Sequence, residues 1–146
     1  MAIKKGIYAA SMSIFNQDLS LDVESTIKHS ERLIKEGLHG TVFFGSTGCA
    51  QLISSSEKKK LIDKLSNNKF KDCFMIGTGA NALNENIELM KHSLNNGVNR
   101  FLLMPHAYYK YDDEGVYSFY ANVIQKFRKA KLFFIILRNL AVISLM

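Results

Sequence analysis

The chain has 146 residues with no tryptophan, a single proline, two cysteines and no acidic residue after Glu114. Each scarcity excludes something. One proline and nine glycines leave no room for a long low-complexity linker, and a composition 47% hydrophobic and 22% charged is that of one folded globular unit. Cys49 and Cys73 stand far apart without a second pair, which matches neither a disulfide framework nor a zinc site, so a reducing cytoplasm is the simplest setting. His29, His39, His92 and His106 have no partner at helical spacing and no neighbouring carboxylate pattern, which argues against a metal role for any of them.

Long apolar runs are missing too. Leu132–Met146 is strongly apolar but spans 15 residues and is interrupted by Arg138 and Asn139, whereas a membrane-spanning helix needs about 20. Lys4 and Lys5 precede an apolar stretch, Gly6–Phe15, but Ser11 and Ser13 interrupt it and Asn16-Gln17-Asp18 follows, which makes a poor signal peptide. The formal charge of +6 is concentrated late, in Lys126, Arg128, Lys129, Lys131 and Arg138, where no acidic residue balances it. Those basic residues are not interleaved with aromatics on any periodic element, so a nucleic-acid surface is not expected.

What is present is a regular alternation of strand-like apolar runs and amphipathic stretches. Strands are expected at Gly6–Ala10, Gly40–Phe44, Cys73–Gly77, Arg100–Met104 and Leu132–Leu137. Their starts fall roughly 30 residues apart, the length of a βα unit. Helices are expected over Asp22–Glu36, from Ser54 onward, over Asn84–Asn96 and over Gly115–Lys129. The first sets Val23, Ile27, Ser30 and Ile34 on one face and ends near Gly37. Ser54-Ser55-Ser56-Glu57 is the signature of a capping box, which puts Lys58, Lys59 and Lys60 on the solvated side of the second helix. The pattern predicts α/β architecture with buried parallel strands. No G-x-G-x-x-G follows the first strand, which removes support for a dinucleotide-binding open sheet. A (β/α)8 barrel needs eight units, and about five strands and four helices fit here.

Chemistry concentrates in Phe43-Phe44-Gly45-Ser46-Thr47-Gly48, expected at the C-terminal end of the second strand, where a barrel carries its active site. Two glycines permit a tight turn and close ligand approach, and two adjacent hydroxyls with exposed N–H groups present donors suited to a carboxylate. The same composition also makes a turn that binds nothing.

Other segments favour the first alternative. The strand before Asp22, the turn Gly45-Ser46-Thr47-Gly48, Leu52-Ile53-Ser54 leading to Glu57, Gly77-Thr78-Gly79-Ala80-Asn81, and Pro105 through Tyr108-Tyr109-Lys110 to Glu114-Gly115 follow in an order and spacing that resemble the dihydrodipicolinate synthase and N-acetylneuraminate lyase family over residues 6–127. The form around Tyr108-Tyr109-Lys110 and Asp113-Glu114-Gly115 is more similar to branches acting on sugar-acid-derived 2-oxo acids than to the lysine-biosynthetic branch.

The resemblance implies a (β/α)8 TIM-barrel fold, here truncated, with residues 1–131 covering the first four βα units and 132–146 a fifth strand and an aberrant apolar C-terminus. It implies aldol cleavage or condensation of 2-oxo acids such as pyruvate through a lysine imine, with no metal or organic cofactor, and usually a homotetramer. Thr47 then matches the position that holds the substrate carboxylate, with Gly45 and Gly48 shaping the turn. Ser46 matches the neighbouring hydroxyl of the proton relay, and Tyr108, with Tyr109 as the alternative, matches the relay tyrosine. The sequence also departs from the family. Cys49 stands where the family commonly has Glu and reads as a small buried residue. Arg138 stands where the fifth strand should end in Tyr, and the imine lysine belongs to a sixth strand beyond Met146. Lys131 and Lys110 do not substitute for it. The expectation is an inactive lyase fragment, or alternatively a non-catalytic half-barrel binding or assembly module prone to self-association.

Overall fold

A computed structural model describes residues 5–105 and 112–134. Five strands form one sheet in sequence order, β1 (Tyr8–Ala10), β2 (Gly40–Phe43), β3 (Phe74–Gly77), β4 (Arg100–Leu103) and β5 (Lys131–Phe134), and every neighbouring pair is parallel. Four helices connect them, α1 (Val23–Lys35), α2 (Ser55–Leu65), α3 (Leu83–Asn95) and α4 (Asp113–Lys126). This is the truncated α/β arrangement expected from the sequence, five successive β-strands of a TIM-barrel wall with their helices. The expected terminal segment 132–146 begins inside β5, and residues 135–146 lie outside the described residues.

Helix boundaries follow local chemistry. Asp22 caps α1 by accepting the Ser25 N–H at 2.9 Å, and Gly37 releases the chain beyond it at φ +107°. Asp112 caps α4 through the Gly115 N–H at 2.8 Å. The capping box of α2 is present, with Glu57 Oε2 accepting from both the N–H and the hydroxyl of Ser54. Glu57 also reaches a place the motif did not reveal. Its Oε1 accepts the Leu21 N–H at 2.8 Å, which ties the start of α2 to the approach to α1. These hydrogen bonds hold the Glu57 carboxyl below its ordinary range.

The strands alternate faces, and the core lies on the helix side. Phe43, Phe74, Ile76, Phe101 and Leu103 project there and pack against Ile27, Leu61, Ile62, Leu65, Ile87 and Met90. The Val42–Met75 register pair occupies the other face, the one that lines a barrel interior. Lys58 corrects the sequence expectation. It is 3% exposed rather than solvated, because α2 turns this position toward the β3 end of the sheet, while Lys60 is exposed and Lys59 pairs with Glu88.

Candidate active-site turn at the ends of the first three strands

The sheet ends its C-terminal edge in turns that touch one another. The strand β2 stops at Phe43, one residue earlier than expected, because Phe44 adopts φ +59°. A bulky residue in the left-handed region is a genuine outlier, and such outliers cluster where a binding geometry is enforced. Here the reversal breaks the strand alternation. Both Phe43 and Phe44 therefore enter the same core, each 1% exposed, with ring centroids 6.1 Å apart.

The backbone leaves Phe44 into the Gly45–Gly48 turn. Two hydrogen bonds close it, Cys49 N–H to Ser46 C=O at 3.0 Å and Ala50 N–H to Gly45 C=O at 3.3 Å. Ser46 and Thr47 stand exposed at its tip. Among the described residues, neither their hydroxyls nor their backbone N–H groups find a protein acceptor, so four donors remain available to a ligand. Gly48 is buried against the turn after β1, where the Ser13 hydroxyl donates to its carbonyl at 2.7 Å. A Cβ on Gly48 would lie 2.8 Å from the Ser11 carbonyl oxygen, so only glycine lets these two turns meet.

The third turn is held equally closely. Gly77 packs directly on the Phe44 carbonyl, and a Cβ there would lie 2.4 Å from that oxygen. Gln51 Nε2 donates to the Gly79 carbonyl at 2.8 Å. Ser13 and Gln51 were not singled out by sequence reasoning. The hydroxyls interrupting Gly6–Phe15 were a usable signal for Ser13, whereas nothing in the sequence marks Gln51.

Ser46, Thr47, Gly45 and Gly48 thus come together in one turn. Tyr108, Tyr109, Lys110, His106 and Arg138 lie outside the described residues. Cys49 requires a correction. It is exposed, not buried, because it sits at φ +52° and starts the short 3-10 turn Ala50–Leu52 with its side chain away from the core. Lys131 pairs with Arg100 at the first residue of β5, the end of the sheet opposite these turns. Among the described residues no cluster of three His, Cys, Asp or Glu side chains could hold a metal ion. None of the described helices is long and apolar enough to cross a membrane.

Comparison with known proteins meets this geometry. The family model for the dihydrodipicolinate synthetase family matches residues 4–135. The chain belongs to that family. Among relatives of the dihydrodipicolinate synthetase family, the L-threo-3-deoxy-hexylosonate aldolase of Aspergillus niger is 32% identical over 130 residues, which cover 83% of this chain and 39% of the aldolase. The 4-hydroxy-tetrahydrodipicolinate synthase of Bartonella bacilliformis is 31% identical over 120 residues, 82% of this chain and 41% of that enzyme. The fold matches dihydrodipicolinate synthase from Agrobacterium tumefaciens with a TM-score of 0.86 at 22% identity, over 96% of this chain and 50% of that one. It also matches YagE, a prophage protein of the same family from E. coli K12 in complex with pyruvate, with a TM-score of 0.85 at 24% identity, over 97% of this chain and 47% of YagE. The chain therefore spans about half the length, or somewhat less, of the relatives it matches.

Proposed function

We propose that this chain forms the carboxylate-holding part of a 2-oxo acid lyase site of the dihydrodipicolinate synthase type, and that it does not itself supply the imine lysine. The observation that carries the reading is the Gly45–Gly48 turn at the C-terminal end of β2, with the donors of Ser46 and Thr47 exposed and unengaged among the described residues. A carboxylate accepts several such bonds at once, and charge-assisted hydrogen bonds to it are stronger than neutral ones. Thr47 would hold the carboxylate through its hydroxyl and N–H. Ser46 would pass a proton between the substrate and a relay tyrosine, Tyr108 or Tyr109. Pyruvate is the simplest ligand of this class, and it is the molecule bound in YagE.

In the family's chemistry a lysine amine condenses with the substrate carbonyl, water leaves, and the protonated imine accepts the electron pair when the carbon–carbon bond breaks. Lys131 sits at the wrong end of the sheet for that task, and Lys58 is enclosed beneath the turn. The chain alone is therefore expected to bind a 2-oxo acid reversibly without trapping it. Incubation with pyruvate and borohydride, followed by mass spectrometry, should leave every lysine unmodified; a reduced adduct on any of them would overturn the missing-lysine part. Amide resonances of Ser46 and Thr47 should shift on pyruvate addition, and Thr47→Val should weaken that response by about tenfold, the worth of one charge-assisted hydrogen bond.

A second reading is a non-catalytic half-barrel that binds or assembles with another chain. It is favoured by the outer edges of β1 and β5, which have no strand partner among the described residues.

A further inference from the structure

Lys58 belongs to a run of three lysines in the first half of α2, yet it is the only one of the three that is fully enclosed. Lysine is rarely buried unless something holds its ammonium. Its Nζ lies 3.5 Å from the Thr78 carbonyl oxygen, a long contact, and 5.9 Å from the centroid of the Phe44 ring, within the range of a cation–π interaction. Burial pushes the ammonium pKa down, and the Glu85 carboxylate on α3 acts in the opposite direction. The two contacts of Lys58 are to the two segments that shape the candidate site. Phe44 is the left-handed residue from which the Gly45–Gly48 turn departs, and Thr78 begins the turn after β3.

The surroundings leave this arrangement little freedom. Gly79 adopts φ +54°, and a Cβ there would meet Ala50 Cβ at 2.5 Å, the Phe44 carbonyl oxygen at 3.3 Å and Lys58 Nζ at 3.5 Å. Gln51 donates to the Gly79 carbonyl at 2.8 Å, while the Lys58 ammonium lies against the neighbouring Thr78 carbonyl. Hydration of an ammonium is hard to replace, and a methionine or leucine would satisfy the same volume without that cost. A structural filler is therefore not the economical explanation for a lysine here.

We propose that Lys58 is a positioning residue, a buried cation that joins the turn after β3 to Phe44 and so fixes the Gly45–Gly48 turn in its ligand-accepting shape. It acts through Phe44 and Thr78, without touching the substrate. The link to substrate rests on the reading of that turn as the carboxylate site, whereas the link to turn geometry stands without it.

Hydrogen exchange separates the two. In the 146-residue chain, Lys58→Met should leave the helical circular dichroism intact while the Cys49 and Ala50 amides, which close the turn, exchange about tenfold faster than in the native protein. Amides of β5, which is separated from β3 by β4, should keep their native rates. Lys58→Arg, which keeps the cation and can reach the same carbonyl, should restore protection at Cys49 and Ala50 to within about threefold. Native exchange at these two amides in Lys58→Met, or acceleration spread evenly over all five strands, would overturn the proposal. Pyruvate titration of the same proteins provides the second arm. Weaker binding in Lys58→Met, recovered in Lys58→Arg, extends the role to the ligand. If the native protein shows no response to pyruvate, the carboxylate reading fails, and the exchange data still decide the role of Lys58.

Discussion

At the scale of single residues, this site is governed by side chains that serve two neighbours at once. Glu57 completes a local capping box and also receives the Leu21 N–H, so one carboxylate joins the start of α2 to the approach to α1. The Ser54 hydroxyl and then the Leu21 N–H lower its pKa, outweighing the opposing effect of desolvation. The folded-state value thus lies below the unfolded one. The stabilisation is complete above the unfolded pKa of about 4.5 and is lost as the pH falls through the lowered folded value, because the unfolded chain binds the proton more readily. Denaturant midpoints measured from pH 6 to pH 3 should therefore fall less steeply for Glu57→Gln than for the native chain. The difference should be a few tenths of a kcal/mol, since solvent screens so open a group. Identical slopes would show that the hydrogen bonds of Ser54 and Leu21 to this carboxylate carry no weight. Capping could be read from Ser54-x-x-Glu57 because it is a local pattern. The Leu21 contact could not, because it joins positions 36 residues apart.

At the scale of elements, the junction between β2 and β3 decides whether the turn forms. The two strands pair through Thr41–Phe74, Val42–Met75 and Phe43–Ile76, and the next residue on β3 is Gly77, pressed against the backbone of Phe44. A methyl group at Gly77 would meet the carbonyl oxygen and carbon of Phe44 at 2.4 and 2.7 Å, and backbone atoms in a paired strand cannot move aside as a flexible side chain could. Gly77→Ala should therefore destabilise the protein by about 2 kcal/mol, the scale of core overpacking. It should also perturb the Ser46 and Thr47 amide resonances more than those of α1. Urea unfolding with native stability would contradict the close approach. All five strands and four helices were legible from periodicity, with ends displaced by up to three residues, by one at Phe44 and by three at the end of α4. That displacement has a cause the hydrophobic pattern does not contain. Phe-Phe reads as continued strand, whereas the left-handed Phe44 is packed against the Gly77 backbone and the Lys58 ammonium, neither of which the local pattern reveals.

At the scale of the whole molecule, a sheet ordered β1 through β5 has two outer edges, whereas a closed barrel has none. Among the described residues, β1 and β5 each pair on one side only, and Ile7 before β1 and Phe134 at the end of β5 are 68% and 43% exposed. Unpaired parallel edges flanked by apolar side chains favour association. Sedimentation velocity on the 146-residue chain should show concentration-dependent oligomers at roughly micromolar levels, the range in which exposed strand edges and apolar surface drive self-association. A single monomeric species across that range would remove support for the assembly reading.

The amino-acid sequence by itself determined the α/β alternation, the four helices, the capping box of α2 and the family, because these depend on short-range periodicity and on motifs whose order along the chain is sufficient. It also located Gly45-Ser46-Thr47-Gly48 as the candidate carboxylate turn. Tertiary structure alone decided what surrounds that turn. It exposed Cys49, enclosed Lys58, and brought Ser13, Gln51 and Gly77 against the same few backbone atoms. Those outcomes depend on contacts between segments distant along the chain, 20 residues apart for Lys58 and Thr78 and 35 for Ser13 and Gly48, where a helix rotation of one position exchanges water for core. A run of Lys58-Lys59-Lys60 contains no local signal of which lysine faces inward. Only the docking of α2 against the ends of β2 and β3 provides it.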